Sequence, residues 1–172
     1  MKLRVSLGQL SEVIDALDQY KADLNRRCRT FLERLAAIGV DTADVRFRTA
    51  QYDGTNDVTI FTQWDGDNKV KVIGKGNSVT FIEFGSGVYY QEEHPLASEK
   101  GAERGGYGQG RGKGRTWGYY GEDPGSNGKV IQNKKGETVI LTHGNPPSRA
   151  MYEASKAVRE QVLNIAREVF GT

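Results

Sequence analysis

The stretch Val79-Thr80-Phe81-Ile82-Glu83-Phe84-Gly85-Ser86-Gly87-Val88-Tyr89-Tyr90 divides the chain into a patterned part and an unpatterned one. Val79, Phe81, Ile82 and Phe84 are β-branched or aromatic, which predicts a half-buried strand. Gly85 and Gly87 then stop it in a turn that bulkier residues resist. Upstream, Val45 and Phe47 alternate with Arg46 and Arg48 on the way to Tyr52, the pattern of a strand with one wet face. Turn chemistry at Asp53-Gly54-Thr55-Asn56-Asp57 and Asp65-Gly66-Asp67-Asn68 brackets a strand at Val58-Thr59-Ile60-Phe61-Thr62. Val70-Lys71-Val72-Ile73 follows as another strand, and Gly74-Lys75-Gly76-Asn77 leads into the opening stretch. Short strands joined by tight polar turns predict an antiparallel meander. Downstream, from about His94 to Gly136, lies a glycine-rich arm with little periodicity, and Thr138-Val139-Ile140-Leu141 is the strand on which the chain returns.

A helix is predicted at each end. Ser6 and Gln9 have capping-box spacing, after which Leu10, Val13, Ile14, Leu17, Leu24, Cys28, Phe31, Leu32 and Leu35 recur every three or four residues until Gly39 closes the helix. Glu12, Asp15 and Asp18 lie early and Arg26, Arg27, Arg29 and Arg34 late, which suits the helix dipole. A solvated face explains these arginines better than a DNA-facing stripe. About eight turns are more than a small sheet needs to cover it, so the helix is expected to project toward a neighbour. Near the other end, His143-Gly144-Asn145-Pro146-Pro147 forms a rigid corner, with Asn145 a candidate cap and Pro146 suited to the first helical position. Met151, Ala154, Ala157, Val158, Val162, Ile165, Ala166 and Val169 trace the apolar face of a helix ending at Phe170-Gly171. Ala150, Ala154 and Ala157 would let this helix lie close against its support. The expected architecture is α+β: one domain over residues 1–172 with a small, mainly antiparallel sheet packed by both helices.

The totals limit what such a chain does. Its 172 residues, 37% apolar, support one modest core. With 24 basic and 22 acidic residues the net charge is +2, so any preference for nucleic acid or an anionic surface must be local. A single cysteine, Cys28, excludes an intramolecular disulfide and cysteine-rich zinc patterns. No apolar run reaches the length of a signal peptide core or a membrane span, which predicts a protein that stays where it is made.

The arm carries the candidate binding residues. Arg104, Tyr107, Arg111, Lys113 and Arg115 are spaced by glycines, and Trp117, Tyr119 and Tyr120 follow. Ordering so many glycines costs roughly 1–2 kcal/mol of backbone entropy per residue. The aromatic surface is too large for an inert linker, so the arm is expected to order when a partner buries it. Its basic, aromatic-interleaved composition also resembles an RGG-like segment that binds nucleic acid, DNA or RNA, the competing reading.

Residues suited to catalysis are few. His94 follows Glu92 and Glu93, but at the root of an arm before Pro95 a plain exposed loop explains it better than a metal site. His143 beside Gly144 fills a turn position. Glu83, expected in mid-strand, is read as a salt-bridged or outward-pointing residue in preference to an acid of raised pKa. Gly85-Ser86-Gly87 lacks nucleophile-elbow spacing, and Gly112-Lys113 is followed by glycine where a phosphate loop needs Ser or Thr. No catalytic, cofactor or metal residues are assigned. A small α+β hydrolase or toxin would need a constellation that the sequence does not display.

Two blocks carry a family likeness. Phe81-Ile82-Glu83-Phe84-Gly85-Ser86-Gly87 with Tyr89-Tyr90, and Gly144-Asn145-Pro146-Pro147-Ser148-Arg149-Ala150-Met151-Tyr152-Glu153-Ala154, resemble motifs of the gp-ten-like tail-component family of long-tailed bacteriophages. The order of long helix, small sheet and C-terminal helix is similar as well. Ser86 stands where threonine is commoner, and Arg149-Ala150 and Glu153 stand where an aromatic residue and a proline are. The resemblance implies a structural virion protein without catalytic residues, a neck or tail-completion component joining head connector to tail. It implies a ring of copies of itself that meets neck, connector and tail-tube proteins, with DNA in the channel a further candidate contact and no membrane. Its implied place is the virion, after assembly in the host cytoplasm.

Overall fold

In a computed structural model the structure describes residues 7–87, 90, 93–103, 117–120 and 128–171. The elements are α1 (Leu7–Arg48), β1 (Thr59–Trp64), β2 (Val70–Lys75), α2 (Val79–Phe84), β3 (Trp117–Tyr120), β4 (Lys129–Gln132), β5 (Thr138–Thr142) and α3 (Ala150–Phe170). The fold is α+β, as expected, but its strands form two small antiparallel sheets where one was expected. One is the hairpin β1-β2, with Thr59 opposite Lys75 and Trp64 opposite Val70. The other has the order β3-β5-β4, with Trp117 opposite Thr142 and Gln132 opposite Thr138. Residues expected in the unpatterned arm thus supply both outer strands of the second sheet.

α1 is longer than its pattern suggested. It passes through Gly39 and absorbs the strand expected from Val45, reaching about 63 Å for its 42 residues. Gly39 is a contact point rather than a stop: a Cβ there would lie 3.1 Å from Val72 and 3.3 Å from Val158. Phe47 is buried one turn after buried Ala43, while Val45 faces out, so the apparent alternation of Val45 and Phe47 was a sampling of helical period. Because the helix continues to Arg48, the arginines from Arg26 to Arg34 lie in mid-helix. They pair with neighbours instead of the helix end: Arg26 and Arg27 with Asp23, Arg29 with Glu33, and Arg34 with Glu168 of α3.

α3 runs antiparallel along the C-terminal half of α1. Phe170 meets Phe31 with ring centroids 5.7 Å apart, Val158 lies against Gly39, and Ala150 and Ala154 close on Ala43 and Phe47. The expectation of close approach at Ala150 and Ala154 holds. The hairpin lies beside the same helix and is held near its tip by the Arg29 guanidinium, 4.6 Å from the Trp64 ring centroid. The core is small: Ala43, Phe47, Ile82, Ala150 and Ala154, surrounded by Tyr52, Val58, Ile60, Val79 and Met151.

The stretch expected as the deciding strand is a helix. α2 is six residues long and buries Ile82 and Glu83. Strand propensity at Val79, Phe81 and Ile82 yields to anchoring at the helix start, where Asp57 accepts the backbone N–H groups of Asn77 (2.7 Å) and Ser78 (2.9 Å) and the Ser78 hydroxyl. Asp57 thus does for α2 what an N-terminal cap does, from outside the segment.

After α2 the chain makes a close crossing. Ser86 and Asn145 form an isolated antiparallel bridge, Ser86 N–H to Asn145 O at 2.9 Å and Asn145 N–H to Ser86 O at 3.1 Å. Asn145, expected as a helix cap, is consumed here, and α3 starts later, at Ala150. Gly85 (φ 77°) and Gly144 (φ 90°) permit the crossing: a Cβ on Gly85 would lie 2.7 Å from Asn145 O, and one on Gly144 would overlap Ser86 O. Gly136 also has positive φ (78°) but open space around it. Gly136→Ala is therefore expected to cost about 1–2 kcal/mol of backbone strain alone, and Gly144→Ala distinctly more than that. Urea unfolding of both variants measures the difference, and equal costs would show that the crossing is not tightly packed.

Candidate functional site

The crossing continues into a buried polar node around Glu83. α2 presents its carboxylate to the first turn of α3, where Oε2 accepts Met151 N–H at 2.8 Å and Oε1 accepts Tyr152 N–H at 3.0 Å. The His94 Nε2 lies 2.9 Å from Oε1. His94 Nδ1 accepts Leu96 N–H at 3.0 Å, so Nδ1 carries no proton and Nε2–H is the donor to Glu83. The imidazole lies between Phe84 (centroids 4.4 Å apart) and Tyr152 (5.5 Å, nearly perpendicular). Glu83 is 5% and His94 3% exposed.

α3 needs this carboxylate because it has no cap of its own. Arg149, at its N-cap, has the left-handed conformation (φ 55°) and gives no side-chain cap bond. Backbone contacts complete the joint: Ser148 N–H and Arg149 N–H donate to the carbonyls of Ile82 and Glu83, and the Arg149 guanidinium reaches the Glu93 carbonyl at 2.9 Å. A negative charge held at this end also opposes the helix dipole favourably. The expectations for this pair are corrected, except that Glu83 is indeed paired, with His94. Glu83 is neither outward-pointing nor in a strand, and His94 is no exposed loop residue but the buried anchor of the turn 94–102, whose Ala97 and Ala102 are buried too. The turn is thereby part of the packed body.

A second polar cluster lies on the other side of the crossing. Buried Asp53 accepts the Thr142 hydroxyl, whose oxygen in turn accepts Gly144 N–H at 2.9 Å. Asp53 N–H donates to Asn145 Oδ1 at 2.7 Å, and Asn145 Nδ2 donates to Ser86 Oγ at 3.0 Å. An open cavity of about 270 Å³ borders this cluster, lined by Tyr52, Asp53, Thr55, Phe81, Ser86 and Asn145 among others. Burial, then the carboxylates of Asp57 and Asp53, push the Tyr52 hydroxyl above its usual range, so it stays protonated at neutral pH.

Chemically these groups are occupied with one another. Oε1 of Glu83 serves two donors and Oε2 one, both His94 nitrogens are engaged, and Ser86 Oγ already receives bonds from Asn145. Among the described residues no three His, Cys, Asp or Glu side chains are placed to hold a metal ion, and no helix is long and apolar enough to cross a membrane. His143 is exposed at the corner. Arg104, Tyr107, Arg111, Lys113 and Arg115 lie outside the described residues; Trp117, Tyr119 and Tyr120 form β3 against β5.

One outward-facing feature of the described residues was partly legible in the sequence. The N-terminal half of α1 extends past the end of α3 at Phe31, and its apolar stripe there is bare: Leu10, Val13, Ile14 and Leu17 are about half exposed or more, and Leu24 is 39% exposed. The projection was expected; that it is the N-terminal half follows from where α3 ends. Tyr20, absent from the expected stripe, adjoins it and is 67% exposed. No family model, curated protein or solved structure matches the chain.

Replacing Glu83 by Ala leaves His94 Nε2–H and two helix N–H groups without their acceptor, and is expected to destabilise the chain by about 3 kcal/mol, more than Glu83→Gln, in chemical denaturation. Equal stability of wild type and Glu83→Ala would contradict the node. Asp57 responds differently. The Ser78 hydroxyl, then the N–H groups of Asn77 and Ser78, hold its pKa down to about 2. A depressed carboxylate pKa gives stability that is full above its ordinary value near 3.8 and is lost as pH falls through about 2. The stability gap between wild type and Asp57→Asn, followed by urea unfolding, is therefore expected to shrink from pH 5 to pH 2; a constant gap would show that ionisation is not what anchors α2.

Proposed function

We propose that this chain is a structural virion protein of a tailed bacteriophage, a neck or tail-completion subunit that joins the head connector to the tail and carries out no reaction itself. The observation that carries this reading is that the two sequence blocks resembling the tail-component family form one joint. Gly85-Ser86 crosses Gly144-Asn145, and Glu83 seats the first turn of α3. Residues with that likeness are thus used for architecture, where a chance likeness gives no reason for them to meet. The distribution of polarity agrees: Glu83 with His94, and Asp53 with Thr142, satisfy one another in the interior, while apolar surface is turned outward along α1. A subunit built to assemble needs that arrangement. In this reading copies form a ring, neighbouring neck, connector and tail-tube proteins are its partners, and the arm around β3 supplies contacts between them.

The arm separates this reading from nucleic-acid binding. If it serves assembly, replacing Trp117 and Tyr119 together by Ala lowers the count of joined particles, because buried aromatic anchors at interfaces contribute about 2 kcal/mol or more each. Neutralising Arg111, Lys113 and Arg115 together leaves joining near the wild-type level. Electron microscopy of joined particles against separate full heads and tails gives the count. The reverse ranking of the two variants would favour an electrostatic guide for DNA, whose binding to free duplex would then fall steeply with salt.

A further inference from the structure

The bare face of α1 has the spacing of a two-helix seam. Leu10, Ile14, Leu17, Lys21, Leu24 and Cys28 alternate steps of four and three residues, and Phe31 and Leu35 continue the same line into the region that α3 covers. About three heptads of this seam lie beyond the end of α3. An isolated helix of that length is marginal in water, so covering its apolar side would stabilise the projection.

We propose that the partner is a second copy of this chain, with the two α1 helices antiparallel over their N-terminal halves. Direction follows from charge. Parallel copies would set Lys21, the charged residue within the seam, directly against Lys21, whereas antiparallel copies set it against Leu17 with Asp18 of the other copy alongside. Register follows from the seam: Leu10 opposes Cys28, Ile14 opposes Leu24, and Leu17 opposes Lys21, whose ammonium then lies beside Asp18 of the other copy. In this register the seam from Leu10 to Cys28 lies wholly beyond Phe31, at which Phe170 terminates the α3 contact. Each copy's α1 therefore takes up the stripe where the other copy's α3 leaves it, and runs in the same antiparallel sense as α3. The pairing is isologous and closes as a dimer. It does not rest on the neck reading, since it concerns the purified chain and uses no residue of the arm.

Cysteine cross-linking tests direction and register together. With Leu10→Cys the new thiol faces Cys28 of the other copy, and mild oxidation is expected to give a covalent dimer on a non-reducing denaturing gel. In wild type the two Cys28 residues lie about 27 Å apart in this register and stay unlinked. Ile14→Asp, at an exposed position of the subunit, is expected to weaken dimerisation about a hundredfold or more, since it places a charge twice in one seam. Its far-UV circular dichroism, compared at equal dimer occupancy below saturation, controls for folding. Cross-linking of wild type through Cys28 would establish a parallel pair and overturn the proposal. Absence of cross-linking in Leu10→Cys, with a mass at every concentration equal to the 19.0 kDa chain, would overturn it as well and assign the stripe to another occupant.

Discussion

A single buried carboxylate sets the relation between the parts of this fold. Glu83 reaches from the six-residue helix α2 to two N–H groups of α3 and to His94. α3 begins at an arginine in the left-handed conformation without a side-chain cap, so its first turn depends on a group from elsewhere in the chain. Satisfying it needs α2 to be helical, because the same short segment must present the Ile82 and Glu83 carbonyls to Ser148 and Arg149 while aiming the Glu83 side chain at the next turn. Asp57 fixes where α2 starts, and the glycines at 85 and 144 let the chain leave it without collision.

The same constraint divides the molecule into a body and a projection. Around the node, Asp53, Thr142, Asn145 and Ser86 satisfy one another, and Phe47, Ile82, Ala150 and Ala154 close beneath them. Buried polar groups arranged in this way select one geometry, since an unpaired member is expensive. α3, seated by Glu83, covers α1 only as far as Phe31. Beyond that point α1 continues with its apolar stripe uncovered, so the position of the node determines how much of the helix α3 leaves bare.

Periodic elements were legible in the sequence where their pattern was long. α3 was found to its last residue because Met151 through Val169 keep one face and Gly171 ends it with left-handed geometry. β1 and β2 were found from their turns. Errors arose where short segments satisfied two periods at once. Val79 and Ile82, like Phe81 and Phe84, are three residues apart, a helical spacing hidden by strand propensity. Val45 to Arg48 likewise alternates while continuing the helix, and Gly39 looked like a stop although it admits Val72 and Val158. The node was illegible for a different reason. Glu83 and His94 acquire their roles from Met151 and Tyr152, a contact between distant parts of the chain that no local pattern announces.

The protonation of His94 is the most direct test of this account. The geometry requires a proton on Nε2, donated to Glu83, and none on Nδ1, which accepts Leu96 N–H. Long-range ¹H–¹⁵N correlation of the histidine rings at neutral pH is expected to show His94 as the Nε2–H tautomer, with the pattern changed by Glu83→Gln. A proton on Nδ1, or a ring averaging between the two tautomers, would contradict the clamp on which the joint between α2 and α3 depends.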